Sequence, residues 1–156
     1  MLDPRQFVDL VIDPALETLG LHSQAAVELL LGTALQESGL RFLRQLNDGP
    51  ALGLFQMEPA THDDIHLNFL AFKPELRGKL EILCTMTHPS ALAGNSWYAA
   101  AMCRLHYYRV AEQLPPAGNV VAQAAYWKRH YNTPMGRGSE AEYLANWSRH
   151  GQGVFR

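Results

Sequence analysis

Apolar residues recur along this chain at three- and four-residue intervals, and no stretch shows the strict alternation of a half-buried strand. Ala26, Val27, Leu30, Leu31 and Ala34 form the clearest stripe. It predicts a helix from Ser23, whose hydroxyl can accept a free N–H of the first turn, to Ser38. Phe7, Leu10, Val11 and Leu19 mark an earlier helix from about Gln6 to Leu19. Pro14 should break or kink it, because proline has no N–H and its ring crowds the carbonyl four residues back. Pro59, in a first-turn position, opens a third helix that runs to about Phe72. A short helix follows Pro74. A long one follows Pro89 and covers Asn95 to Glu112, including the small-residue run Ala99-Ala100-Ala101. Pro115-Pro116 break the chain, and another helix extends from about Asn119 to His130. The last opens on Ser139 and Glu142, the two halves of a capping box, and ends near His150. Gly and Asn turn signals between residues 40 and 55 allow at most a small hairpin. The predicted fold is all-α, one domain spanning residues 1–156, with no repeat, low-complexity tract or linker.

One polar residue stands out against this frame. Residues 30, 34 and 37 are spaced i, i+4, i+7, so Glu37 shares the inward face with Leu30 and Ala34. A glutamate just past the end of a stripe is either a solvated residue that caps nothing or a partly buried carboxylate. Burial disfavours the charged form and lets the group hold a proton near neutral pH. A glycosidic oxygen is a poor leaving group and needs such an acid. The residues that follow favour this second reading. Gly49-Pro50 and Gly53 permit a tight loop, and Gly53 allows close backbone approach to a ligand. Gln56 carries an amide that donates and accepts at once, suited to a sugar hydroxyl or acetamido group. Phe55 and Met57 are apolar neighbours for either a sugar ring or the core.

Glu37-Ser38, a spacer, and then Ala51-Leu52-Gly53-Leu54-Phe55-Gln56-Met57-Glu58-Pro59-Ala60-Thr61 resemble the signature of the soluble lytic transglycosylases, a family with a lysozyme-like fold. The signature there is a Glu-Ser followed by a Gly-Leu-Met-Gln-Ile-x-Pro-Ala-Thr-like run. Asn95 and the helix after it resemble the family's Asn-x-x-x-Gly segment, with Ala99 in place of the glycine. Ala124-Ala125-Tyr126 resembles its Ala-x-x-Tyr-Asn motif. The resemblance implies an enzyme that cleaves the β-1,4 bond between MurNAc and GlcNAc in the peptidoglycan glycan strand, with Glu37 as the single catalytic acid and later the base. Glu37 would protonate the bridging oxygen and then take a proton from the MurNAc 6-hydroxyl, closing a 1,6-anhydro ring. The substrate's own acetamido group would stabilise the anomeric carbon. Ser38 would orient neighbouring groups, Phe55 and Gln56 would line the sugar cleft, and Tyr126 would position Glu37. The chain departs from the pattern after Tyr126, where Trp127 follows; Tyr131-Asn132 comes five residues later and competes with Tyr126 for the family tyrosine's role. The stretch from Trp127 to Trp147 looks more like compact phage-borne members of the superfamily.

Three other readings compete. Hydrolysis needs a second carboxylate across the sugar, and Asp48 is the candidate, as in the related goose-type lysozymes; otherwise Asp48 is a turn residue of Asn47-Asp48-Gly49. His62-Asp63-Asp64-Ile65-His66 imitates a zinc-protease helix, but it lacks the usual glutamate and an evident third ligand, so solvated histidines near a helix N-terminus are expected and no metal. A lysozyme-like domain kept as a structural piece of a phage tail or baseplate is the non-enzymatic alternative. Composition narrows the field. With 47% hydrophobic and 18% charged residues the chain is globular, and its net charge of −2 offers nothing to nucleic acid or an anionic membrane. That charge suits delivery within an assembly better than free searching of an anionic cell wall. No segment approaches a membrane span, and the start, Met1-Leu2-Asp3-Pro4-Arg5, shows no basic run followed by an apolar core. The expectations are therefore a virion protein, or one held in the host cytoplasm before release, acting in the periplasm and cell wall. No cofactor is expected. Cys84 and Cys103 lie in apolar, helix-like surroundings and read first as two buried free thiols, with a lone disulfide as the alternative.

Overall fold

A computed structural model describes residues 1–156, and its regular structure is helical. Helix α1 (Pro4–Phe7) passes through a wide π turn, Val8–Ile12, into α2 (Asp13–Leu19). Pro14 therefore does not break the segment. The wider turn just before it relieves the ring's clash. Proline returns no N–H to the Leu10 carbonyl, and the Trp97 indole N–H donates to that oxygen instead, at 2.7 Å. Trp97→Phe should lower stability by about 1 kcal/mol, the net worth of one such bond; a melting curve in urea would read it.

Helix α3 (Gln24–Glu37) starts as expected, with Ser23 Oγ accepting from the Ala26 N–H at 3.1 Å. Every residue from Ala26 to Leu35 is buried, so α3 is a central helix covered on all sides rather than an amphipathic one. Its covering comes from α7 (Ser96–Tyr108), α8 (Val120–Trp127), α9 (Glu140–Asn146) and the π turn between α1 and α2. Thr33 and Tyr107 join α3 to α7 through a buried hydroxyl pair at 2.8 Å. Glu28 is buried in α3, and its carboxyl accepts from Gly118 N–H at 2.7 Å, from Gln123 Nε2 at 2.8 Å and from Gln24 Nε2 at 3.2 Å. Burial without such partners would be strongly destabilising. On its other side α7 packs on α2, on α5 (Pro74–Leu83), on α6 (Ala91–Gly94) and on α4 (Pro59–Asn68).

Helix starts fall where the caps and prolines put them, at Pro59, Pro74, Asn95, Asn119 and Ser139, and both halves of the Ser139–Glu142 capping box form. Several ends differ. The third predicted helix stops at Asn68 and reaches Phe72 only through a 3₁₀ turn, Leu70–Phe72. The long one stops at Tyr108, short of Glu112. Helix α8 ends at Trp127 and continues as a π turn, Lys128–Asn132, and a similar turn, Trp147–Gly151, follows α9. No strand forms; the 40–55 hairpin reduces to isolated bridges, Arg44 to Leu52 and Leu52 to Met57. Both cysteines are free, Cys103 buried and Cys84 half-buried. No helix is long and apolar enough to cross a membrane.

Candidate active site

Three stretches of chain meet at a cleft of about 1000 Å³: the end of α3, the 41–58 segment and the 127–138 segment. Glu37, the last residue of α3, lines it. Its Oε1 accepts from the Trp127 indole N–H at 2.9 Å. Burial pushes the Glu37 carboxyl up to about 7, against the opposing pull of the Trp127 bond, which favours the charged form. The C-terminal end of α3 adds a negative dipole that disfavours the carboxylate further. At neutral pH the group is therefore poised between acid and base.

The helix end is tied to the loop it must face. Buried Ser38 donates from Oγ to the Leu54 carbonyl at 2.6 Å and accepts from the Leu40 N–H at 3.2 Å. Gly53 has a φ of +78°, and a Cβ there would lie 2.2 Å from the Leu92 carbonyl oxygen and 3.6 Å from Ala99 Cβ. Its close approach is therefore to α6 and the first turn of α7, not to a ligand. Gln56 lines the cleft with a φ of +48°, a strained value for a side-chain-bearing residue. Its amide donates to the Gly53 carbonyl at 2.9 Å, which closes the turn and holds the conformation.

Other expected residues fall elsewhere. Phe55 does not line the cleft; it is a core residue against Phe7, with ring centroids 5.8 Å apart. Tyr126 does not touch Glu37: its hydroxyl donates to the Glu112 carbonyl at 2.9 Å. The partner of Glu37 is the next residue, Trp127, because the helical register of α8 turns that side chain toward α3. Tyr131 does reach the cleft, and its hydroxyl donates to the Phe55 carbonyl at 2.6 Å, tying the π turn to the Gln56 turn. Asn132 also lines it, with Oδ1 accepting from Lys128 Nζ at 2.7 Å. The same ammonium bonds the carbonyls of Gly136 and Gly138, at 2.8 and 2.7 Å, and fixes the loop. Asp48 is exposed, has a φ of +57° and lies outside the cleft lining.

The sequence reading missed Trp127, His106, Glu58 and the arginines Arg41 and Arg137, all of which line the cleft. Only Trp127 had a signal: a tryptophan on a buried helix needs an acceptor for its N–H. His106 sits edge-on to Tyr131, centroids 5.0 Å apart. Burial and Arg109 hold it down to about 4, so it is neutral, with Nδ1 accepting from Arg109 at 3.1 Å and Nε2 donating to the His130 carbonyl at 3.0 Å. The histidines of the 62–66 run are not solvated as expected. His62 is buried and His66 half-buried, and both share the Tyr98 hydroxyl, at 2.7 and 2.8 Å. Searches of protein-family models, curated proteins and solved structures gave no match to this chain.

Proposed function

We propose that this protein cleaves the MurNAc–GlcNAc β-1,4 bond of peptidoglycan as a lytic transglycosylase, with Glu37 as its single catalytic group. The observation that carries the reading is Glu37 itself, a cleft carboxyl raised to about 7. A group so shifted destabilises the folded chain at neutral pH, so packing alone gives no reason to keep it, and chemistry does. The protonated carboxyl donates to the bridging oxygen as the C–O bond breaks. The substrate's acetamido group holds the positive anomeric carbon. The carboxylate so formed then removes the proton of the 6-hydroxyl, whose oxygen closes the 1,6-anhydro ring, and Glu37 is ready again. Gln56 and Asn132 offer neutral polar groups to sugar hydroxyls. Arg41 and Arg137 line the cleft without a carboxylate partner, which favours a glycan bearing acidic stem peptides over a neutral one.

Hydrolysis is the second reading, and one observation bears on it. The other carboxylate lining the cleft is Glu58, exposed just before α4, so Glu58 rather than Asp48 would have to serve the water. In its setting we place the enzyme on a phage particle, where delivery makes a basic surface unnecessary.

The pH dependence tests the role of Glu37. Release of soluble fragments from purified peptidoglycan should hold below pH 7 and fall through about pH 7 as one proton leaves Glu37. A rate flat from pH 5 to 9 would remove Glu37 as the acid.

A further inference from the structure

We propose that Trp127 is the positioning residue of the acid: its indole N–H claims Oε1 of Glu37 and leaves the transferable proton on Oε2, the oxygen open to the cleft. The inference rests on the proposed cleavage and concerns which atom performs it. An indole N–H only donates, so Oε1 must accept, and a neutral carboxyl bonded in this way carries its hydrogen on the other oxygen. Oε2 has no hydrogen-bond partner in the chain and is not among the sealed polar atoms of the interior, so it faces the cleft.

The indole is itself fixed. Trp127 is fully buried, its ring packs on Tyr143 with centroids 5.4 Å apart, and a Cβ on Gly138 would come within 2.7 Å of its outer edge. Gly138 in turn is held by Lys128. The cleft loop, the indole and the acid thus form one rigid set, and Glu37 is the only acceptor the Trp127 N–H has.

Other titratable groups surround Glu37 without bonding it. Cys103 on α7 and Tyr131 on the π turn are pushed up by burial and stay neutral, and His106 is neutral as well. His130, Arg137, Arg41 and Glu58 line the same cleft as charged or titratable neighbours. Their influence persists in a Trp127 variant, so a change there isolates the indole.

The experiment is Trp127→Phe in the full chain, with Glu37 followed by carboxyl ¹³C NMR across pH and assigned with Glu37→Gln. Losing a donor to the charged form should move the Glu37 midpoint up by about one unit. The alkaline limb of peptidoglycan release should move up with it, and the plateau rate should fall about tenfold as the proton is no longer confined to one oxygen. A folded variant with an unmoved midpoint and limb, its rate merely scaled, would reduce Trp127 to packing and overturn the proposal. If Trp127→Phe does not fold, the wild-type protein still decides: the Trp127 indole N–H resonance should titrate with the Glu37 midpoint and lose that step in Glu37→Gln, and an indole shift indifferent to pH would refute the bond. Both readouts need no substrate, so failure of the wild type to cut peptidoglycan would sink the proposed function and leave the coupling, while an uncoupled indole would do the reverse.

Discussion

Replacing Glu37 by glutamine is expected to slow release of fragments from peptidoglycan by about a thousand-fold or more, since a positioned acid alone supplies rate factors of roughly 10²–10⁴ and here the same group is also the base. The fold should survive, because the amide oxygen can still accept from the Trp127 indole. Stability should rise at neutral and alkaline pH, because the variant removes a desolvated carboxylate. Glu37 is raised to about 7 in the folded chain from 4.5. Its stabilising contribution is whole below pH 4.5, where both states are protonated, and it is lost as pH rises toward and through 7. Glutamine has no charge to desolvate, so at pH 8 the variant should be more stable than the wild type, by about 2–3 kcal/mol, and at pH 4 the two should be close. Urea melts at the two pH values check this independently of activity.

Gly53→Ala is expected to be strongly destabilising. Two penalties combine there. The backbone at +78° strains any residue with a Cβ, and the added carbon would sit 2.2 Å from the Leu92 carbonyl oxygen, which is backbone and cannot swing aside. Strain of about 1 kcal/mol and a clash of a further 1–3 kcal/mol should lower stability by about 3 kcal/mol. The turn also holds Gln56, whose amide closes on the Gly53 carbonyl, and Leu54, whose carbonyl receives Ser38. Activity should therefore fall by more than the folded fraction does. A chemical melt paired with a rate per folded molecule measures both parts. Gly94 offers the control, since a Cβ there meets nothing within 4 Å.

What could be read from the sequence was local, and what could not was set by packing between distant segments. Ser23, Asn95, Asn119 and Ser139 cap their helices with their own side chains, and each bond closes within three residues. Helix ends carry no such local contact, which is why those after Asn68 and Tyr108 were misplaced. Pro14 looked like a break because its compensation, the Trp97 indole, comes from 87 residues away. In the cleft, Glu37, Ser38 and Gln56 were legible because they lie within one short stretch. Phe55 stands next to cleft-lining Gln56 in sequence, and only the three-dimensional turn shows that it packs on Phe7. Tyr126 lies one residue before Trp127, the partner of Glu37. A single position on a helix is a rotation of about 100°, and the register of α8 against α3 is set by Trp127, Tyr143 and Gly138 packing together. Asp48 was drawn in by its place in the loop, while its backbone angle serves the turn.

The most direct test of the central claim is the chemistry of the cut ends. Purified peptidoglycan is digested with the wild-type protein at pH 6, and the released muropeptides are weighed by mass spectrometry. Fragments ending in 1,6-anhydro-MurNAc, one water lighter than reducing ends, are predicted, and none with Glu37→Gln. Reducing MurNAc ends from the wild type would contradict the transglycosylase route and direct attention to Glu58 as the partner of Glu37.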